Sequence, residues 1–159
     1  MSAVIDKVRS LWIPLRGMNL LLPNVAVAEV VPYREPETAE AGPDWLLGVL
    51  NWRDQRIPLV SYEIFCKQDA PESADRARIL VLNTTQADTR LPFIAMVTSG
   101  IPRLFLADEE GLDDVLGSDE FASDHTLAAV RIGSEQADLP DLARVHREVE
   151  QAWWELQGR

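Results

Sequence analysis

The residues of this sequence that could carry out chemistry are few and widely separated. The two histidines, His125 and His146, belong to no metal-binding pattern such as HExxH or HxH. The sequence contains no phosphate-binding loop, no GxGxxG fingerprint and no GxSxG motif. Its single cysteine, Cys66, excludes an intrachain disulfide and a cysteine-only metal site, and we expect a buried structural thiol. We therefore predict no catalytic residue, no metal site and no cofactor, and a protein that is not an enzyme.

Acidic residues concentrate between Asp108 and Glu120. A calcium loop is disfavoured because acids do not recur at alternate positions before Gly111. A catalytic carboxylate pair needs one group in an apolar pocket, whereas so many neighbouring acids indicate solvent. We interpret the segment as a solvated loop that repels unsuitable partners or meets a basic one. A metal-dependent hydrolase using these acids remains the least favoured alternative.

The composition is that of one soluble globular domain spanning residues 1–159. Hydrophobic residues make up 47% of the chain and charged residues 26%, with a net charge of -11. This charge repels a phosphate backbone, which disfavours nucleic acid as a partner. A small barrel that binds single-stranded nucleic acid stays open as a minor alternative. Neither a signal peptide nor a membrane-spanning stretch is evident, so we expect a cytoplasmic protein without membrane insertion.

The chain is organised around a hairpin predicted from two apolar runs. The strands cover Leu46–Trp52 and Arg56–Val60, and a polar turn covers Arg53–Gln55. Gly48 indicates a bulge or a close backbone approach. Pro58 cannot donate to a ladder, so its strand lies near an edge or directs the missing donor outward. The tip of this hairpin gathers Trp52, Arg53 and Arg56, residue types that are enriched at protein interfaces.

Short strands separated by turns continue along the chain and predict a mainly β fold of small barrels or a sandwich. Besides the hairpin, the predicted strands are Ser10–Leu15, Met18–Leu22, Val25–Val31, Arg78–Asn83, Leu91–Val97, Ile101–Leu106 and Thr126–Ile132.

The C-terminal segment instead predicts an amphipathic helix over about 139–156. Apolar side chains recur at helical spacing from Leu142 to Leu156, with Asp138 as the expected cap. The same spacing predicts a solvent-exposed His146 and places Trp154 off the apolar stripe.

The sequence resembles the CheW family, the coupling proteins of bacterial chemosensory arrays. The resemblance runs from about Trp12 to the terminal helix. Its most specific parts are the Val27–Val30 segment and, after a proline-containing loop, Gly48-Val49-Leu50-Asn51-Trp52-Arg53 followed by Ile57-Pro58-Leu59-Val60.

The resemblance implies two small five-stranded β-barrels around a shared core, and a scaffold without catalysis. It implies that the chain links the regulatory domain of a CheA-type histidine kinase to the cytoplasmic tip of methyl-accepting chemoreceptors at membrane-associated arrays. Carried over by motif, Val27, Glu29, Gly48 and Arg53 would shape the contact regions. Arg53 is the residue we expect to matter most, because a forked guanidinium can hold a carboxylate bidentately.

The sequence also departs from the family pattern. Asp54 stands where the family has glycine, and Ser61 and Thr98 each replace a common aspartate. The last family strand is poorly represented, because Glu135–Leu139 is polar and Pro140 follows closely. These departures suit an accessory member, such as those of the pilus-linked systems of twitching bacteria, better than a principal coupler.

Overall fold

The computed structural model describes residues 8–39, 41–66, 76–84, 89–107, 114–115, 126–132 and 134–157. Within these residues the chain forms two β-sheets, two α-helices and one short 3-10 helix, Asn24–Ala26. The strands are β1 (Val8–Leu15), β2 (Met18–Pro23), β3 (Val27–Pro32), β4 (Leu46–Trp52), β5 (Gln55–Val60), β6 (Arg78–Asn83), β7 (Phe93–Thr98), β8 (Arg103–Ala107), β9 (Asp114–Val115), β10 (Thr126–Ile132) and β11 (Glu135–Pro140); the helices are α1 (Tyr62–Phe65) and α2 (Leu142–Gln157).

The strand order matches a two-sheet, mainly β architecture. One sheet runs β8-β1-β2-β11-β10-β9, and the other runs β3-β6-β7-β5-β4. In the part of the chain that the structure describes, the first sheet thus has a sixth strand, the two-residue β9, beyond the five that the resemblance implies. The prediction of a mainly β fold with a C-terminal helix is confirmed.

Three apolar clusters form the core, and one of them joins the two sheets. That shared cluster takes Ile13 and Leu20 from the first sheet, Leu80 and Met96 from the second, and Val149 from α2. A second cluster lies within the second sheet, and its buried members are Leu50, Trp52, Ile57, Leu59, Ile79, Val81, Ala95 and Val97. A third lies within the first sheet and is built on Trp12, Leu21, Val130 and Ala137. Each sheet therefore encloses its own core while sharing another, as the resemblance implies.

The expectation that the segment before α2 is a weak strand is wrong. β11 pairs with β10 along its length and with β2 in parallel orientation. Its polar residues Glu135 and Gln136 occupy the exposed start, while Ala137 is buried in the third cluster. Tertiary pairing on both sides thus overrides a polar local sequence.

The predicted start of the terminal helix is also wrong by three residues. α2 begins at Leu142, and the Asp141 carboxylate accepts a hydrogen bond from the Arg144 N–H at 3.1 Å, as an N-cap does. Asp138 is instead buried in β11, where burial raises its pKa against the opposing hydrogen bond from Gln136.

The apolar stripe of α2 packs on the shared core as predicted, with Val145, Val149 and Trp153 buried. Trp154 is 40% exposed, as its position off the stripe indicates. His146 contradicts the prediction, because it is 2% exposed and its Nε2 lies 2.7 Å from the Leu91 carbonyl oxygen. The segment before β7 covers this side of the helix, which the helical spacing alone could not reveal.

Glu63 is a fully buried carboxylate that ties three segments together. Its Oε2 accepts hydrogen bonds from the Arg16 N–H at 2.9 Å and from the Ser99 hydroxyl at 3.2 Å. Arg16 belongs to the β1–β2 turn, and Ser99 follows β7. Burial raises the pKa of Glu63, while the bonds from Arg16, Ser99 and Ser61 oppose the shift. The nearby Cys66 is buried, which confirms the predicted structural thiol.

We expect Asp141→Ala to lower the free energy of unfolding by about 1 kcal/mol, because the N-cap bond to the Arg144 N–H is lost. Asp141→Asn keeps an oxygen in place and should retain most of the stability. Denaturant unfolding measures both variants, and equal losses in the two would contradict the capping role.

We expect the stability of the wild type relative to Glu63→Gln to fall as the pH rises above about 4.3, the pKa of a glutamate in an unfolded chain. Because the pKa of Glu63 is raised in the folded state, the folded protein holds this proton more tightly than the unfolded chain. The stabilisation is complete below the unfolded value of about 4.3 and is lost as the pH rises through the folded value. Urea unfolding at several pH values tests this, and a flat difference between the two proteins would refute it.

Candidate protein-binding surface

The β4–β5 hairpin closes in a two-residue turn, one residue shorter than predicted. Trp52 pairs with Gln55, which leaves Arg53 and Asp54 in the turn. Both have positive φ, 49° for Arg53 and 63° for Asp54. A turn with two left-handed residues matches the twist of the strands, and a short polar residue such as aspartate tolerates it. Asp54 therefore keeps the tip geometry although the family has glycine there.

Glu29 connects the two edge strands of the second sheet. It lies on β3 at one edge, and its Oε1 accepts hydrogen bonds from Trp52 Nε1 at 3.0 Å and from Arg53 Nη2 at 3.1 Å. Trp52 ends β4, which is the opposite edge. Since one carboxylate reaches groups on both edge strands, the sheet must be curled so that its two edges lie close together at this end. The barrel is thus closed at this end by side chains.

Trp52 supports this surface from below. It is only 6% exposed and packs edge-on against Phe93 with the ring centroids 4.8 Å apart. The Arg53 guanidinium lies over the indole ring at 4.7 Å, an arrangement favourable for a cation–π contact. The Arg53 side chain is 66% exposed and that of Glu29 38%. Arg53 and Glu29 are therefore the groups presented to a partner, whereas Trp52 fixes their positions.

An open groove of about 510 Å³ adjoins the pair. One wall comes from the end of β3 and the residues that follow it, and the other from the end of β4. Arg34 reaches across and donates a hydrogen bond to the Asn51 carbonyl. Arg34 was not predicted as a site residue, and its place in a proline-rich loop gave no signal of this crossing. The groove carries two guanidinium groups against the single carboxylate of Glu29, and is locally basic on an acidic protein.

Gly48 allows the loop after β3 to cover the edge of β4. Glu37 and Val49 exchange backbone hydrogen bonds of 2.9 and 2.8 Å. A Cβ atom on Gly48 would lie 2.4 Å from the Glu37 carbonyl oxygen. The strand register also shifts between Leu46 and Gly48, so the predicted bulge and the predicted close approach are both present.

The backbone bridge between Glu37 and Val49 also explains why the sheet accepts a proline at position 58. Pro58 is paired opposite Val49. The Val49 N–H and carbonyl point away from it, to Glu37, so the missing proline donor leaves no acceptor of Val49 unpaired.

The remaining predicted site residues lie near these groups. Arg56 forms an ion pair with Glu37 at 3.1 Å, and both side chains are more than half exposed. Val27 starts β3 two residues before Glu29 and packs against the shared core. The structure therefore brings Glu29, Trp52 and Arg53 together. Gly48 and Arg56 both lie against Glu37. Val27 lies at the start of β3, the strand that carries Glu29.

The first sheet contains a similar arrangement that the sequence did not indicate. The Arg103 guanidinium lies 5.4 Å from the Trp12 ring centroid and pairs with Glu135 at 2.9 Å. Trp12 is buried, while Arg103 and Glu135 are more than half exposed. These three residues are far apart in sequence, so no local motif indicates that they are in contact.

The residues that the structure describes contain no group of three or more potential ligands placed to hold a metal ion. His125 and most of the acidic segment Asp108–Glu120 lie outside the described residues, apart from β9. The predictions made for them stay predictions.

We expect Gly48→Ala to lower the free energy of unfolding by about 1–3 kcal/mol, because the new methyl group collides with the Glu37 carbonyl and must displace the covering loop. Thermal unfolding measures the loss. Glu37→Ala is the matched control, since it removes only an exposed ion pair and should cost at most about 1 kcal/mol. A larger loss in Glu37→Ala than in Gly48→Ala would contradict the backbone argument.

A search of curated proteins found no match. Among solved structures, the scaffolding protein TtCheW from Thermoanaerobacter tengcongensis superposes with a TM-score of 0.74 at 12% sequence identity, covering 89% of each chain. That likeness shows the fold.

No helix in the described ranges is long and apolar enough to cross a membrane.

The model of the CheW-like domain family matches residues 9–150 of this chain. With a match over most of its length and both curled sheets in place, the chain belongs to the CheW-like domain family.

Proposed function

We propose that this protein is a non-catalytic adaptor of a bacterial chemosensory system, and that its Glu29–Arg53 surface contacts a protein partner. The observation that carries the proposal is the Arg53 guanidinium, 66% exposed yet held over Trp52 by the carboxylate of Glu29. A pre-positioned arginine on an aromatic ring loses little side-chain freedom on binding. Such residues are the ones that carry binding energy at protein interfaces.

The groove beside the pair suits an extended or helical segment of a partner. Its walls combine Tyr33 and Val31 with the guanidinium groups of Arg34 and Arg53. Arginine and tyrosine are enriched at interfaces, and a carboxylate of the partner could be held bidentately by the forked guanidinium. A surface of this kind binds without turnover.

The family membership supports the choice of partners. They are the regulatory domain of a CheA-type histidine kinase and the cytoplasmic tip of a methyl-accepting chemoreceptor, which the adaptor would join in the cytoplasm at membrane-associated arrays. TtCheW, which shares the fold, is itself described as a scaffolding protein. The departure at Asp54, which adds an exposed charge beside Arg53 at the hairpin tip, favours an accessory role beside a principal coupler, such as in a pilus-linked system of a twitching bacterium.

We expect Arg53→Ala to weaken binding to the kinase regulatory domain or to a receptor-tip fragment by about 10-fold or more, because the exposed guanidinium is lost from the centre of the contact. Titration calorimetry with each purified partner from the same organism measures the change. Alanine is preferred to glutamate, since a new carboxylate would repel Glu29 and disturb the closure of the barrel.

Arg103→Ala is the matched control. It also removes an exposed guanidinium over a buried tryptophan and a glutamate pair, but from the other sheet. Near-normal binding by Arg103→Ala beside weak binding by Arg53→Ala would support the assignment. If the wild type bound neither partner, the adaptor role would be refuted; if both variants bound like the wild type, only Arg53 would leave the interface.

A further inference from the structure

Trp154 on α2 presents an aromatic ring to solvent. It is 40% exposed, whereas the preceding Trp153 is buried in the shared core. Gln151 and Arg147 lie one and two helical turns before Trp154 on the same side of the helix, and both are exposed. Arg90, which precedes β7, is also exposed, and its guanidinium lies 5.8 Å from the centroid of the Trp154 ring. We call Arg90, Arg147, Gln151 and Trp154 the Trp154 surface.

The Trp154 ring is held in place by Glu150. The Oε1 atom of Glu150 accepts a hydrogen bond from the Arg90 N–H at 3.3 Å and a longer one from Trp154 Nε1 at 3.5 Å. Its Oε2 atom accepts a hydrogen bond from the Thr89 hydroxyl at 2.9 Å. Partial burial of Glu150 opposes its ionisation, but the bonds from Thr89, Arg90 and Trp154 lower its pKa. The carboxylate is therefore committed to internal donors, and the ring is positioned before any partner binds.

Two other tryptophans of the chain carry an arginine on the ring, and they differ from Trp154 in burial. Trp52 under Arg53 and Trp12 under Arg103 are 6% and 3% exposed. Each of these two rings belongs to a core cluster of its own sheet. Trp154 belongs to none of the three clusters that the described residues form. Its ring therefore contributes little to the core and leaves a large apolar face available for a contact.

The charges of the Trp154 surface are positive on an acidic protein. The chain has a net charge of -11, yet the charged members of this surface are Arg90 and Arg147. Neither arginine forms an ion pair with another residue in the described ranges. The exposed Glu155 follows Trp154 on the next side of the helix and accepts a hydrogen bond from the Gln151 amide at 3.4 Å. This charge favours an acidic partner, whereas a second copy of the chain would be repelled by its like net charge.

We propose that the Trp154 surface binds an acidic segment of a partner protein. Trp154 packs against an apolar side chain of that segment, and Arg90 and Arg147 pair with its carboxylates. Tryptophan and arginine are the residue types that most often carry binding energy at interfaces, and a guanidinium can hold a carboxylate bidentately. The inference goes beyond the adaptor function and does not rest on it, because the Glu29–Arg53 surface belongs to the second sheet and shares no residue with this one.

The first test selects ligands from a library of short random peptides displayed on phage, with the Arg53→Ala protein as bait. That substitution removes the exposed guanidinium of the proposed adaptor surface. Peptides that also bind the double variant Arg53→Ala/Trp154→Ala are discarded. The enriched sequences should combine aspartate or glutamate with an aromatic or aliphatic residue. Enrichment of basic sequences, or no enrichment, would overturn the proposal.

The second test titrates a synthetic peptide of the most enriched sequence into the wild type and its variants. Trp154→Ala should weaken binding by about 10-fold or more, because the aromatic contact is lost. Arg90→Ala and Arg147→Ala should each weaken it and reduce its dependence on salt, since each removes a charge that pairs with the peptide. Equal binding by the wild type and all three variants would overturn the proposal.

Two controls accompany the titration. Arg103→Ala removes an exposed guanidinium from above a tryptophan of the first sheet and should bind the peptide like the wild type. Thermal unfolding checks that each variant is folded, and Arg147 lies at an exposed position whose change leaves the core intact. Sedimentation of the protein alone tests the competing occupant: a dimer of the wild type that dissociates in Trp154→Ala would assign the surface to a second copy and overturn the proposal.

Discussion

The second sheet depends on one carboxylate that holds its two edges together. Glu29 on β3 binds the Trp52 indole and the Arg53 guanidinium at the end of β4. An open sheet exposes two rows of unpaired backbone groups, and closing it removes that liability. Here the loop after β3 covers β4 at Val49, and Glu29 closes the end. The surface proposed for binding is therefore also a structural joint, which is why its groups are well positioned.

The departures from the family pattern have local structural explanations. Ser61 caps α1 by accepting a hydrogen bond from the Ile64 N–H at 3.3 Å. The Thr98 hydroxyl donates to the Gly100 carbonyl at 2.7 Å and accepts from the Arg78 N–H at 3.1 Å. Both side chains are buried, where an uncompensated carboxylate would be costly. Both departures therefore lie in the interior and not on the exposed surface.

Both sheets use the same means to cover a tryptophan. Arg53 lies over Trp52 and pairs with Glu29, while Arg103 lies over Trp12 and pairs with Glu135. Each arginine shields an apolar ring with its own planar group and keeps its charge in solvent. The likeness of the two sites makes Arg103 a stringent control for the role of Arg53.

The sequence by itself determined the elements whose signal is local. The β4–β5 hairpin, the bulge at Gly48 and the apolar stripe of α2 follow from alternation, glycine chemistry and helical spacing. Glu29 and Arg53 were also predicted to be contact residues from the sequence, through the family motif, and that role stays a prediction. The contact between Glu29 and Arg53 was not predicted, because the two residues are 24 positions apart in the sequence.

Only the tertiary structure decided the features that depend on what covers a residue. β11 forms because β10 and β2 pair with it, and this moves the start of α2 to Leu142. His146 is buried because the segment entering β7 lies against its side of the helix. Local sequence specifies which face of an element is apolar, but neighbours distant in the chain determine which polar groups are enclosed with it, since burial is a property of the packed molecule.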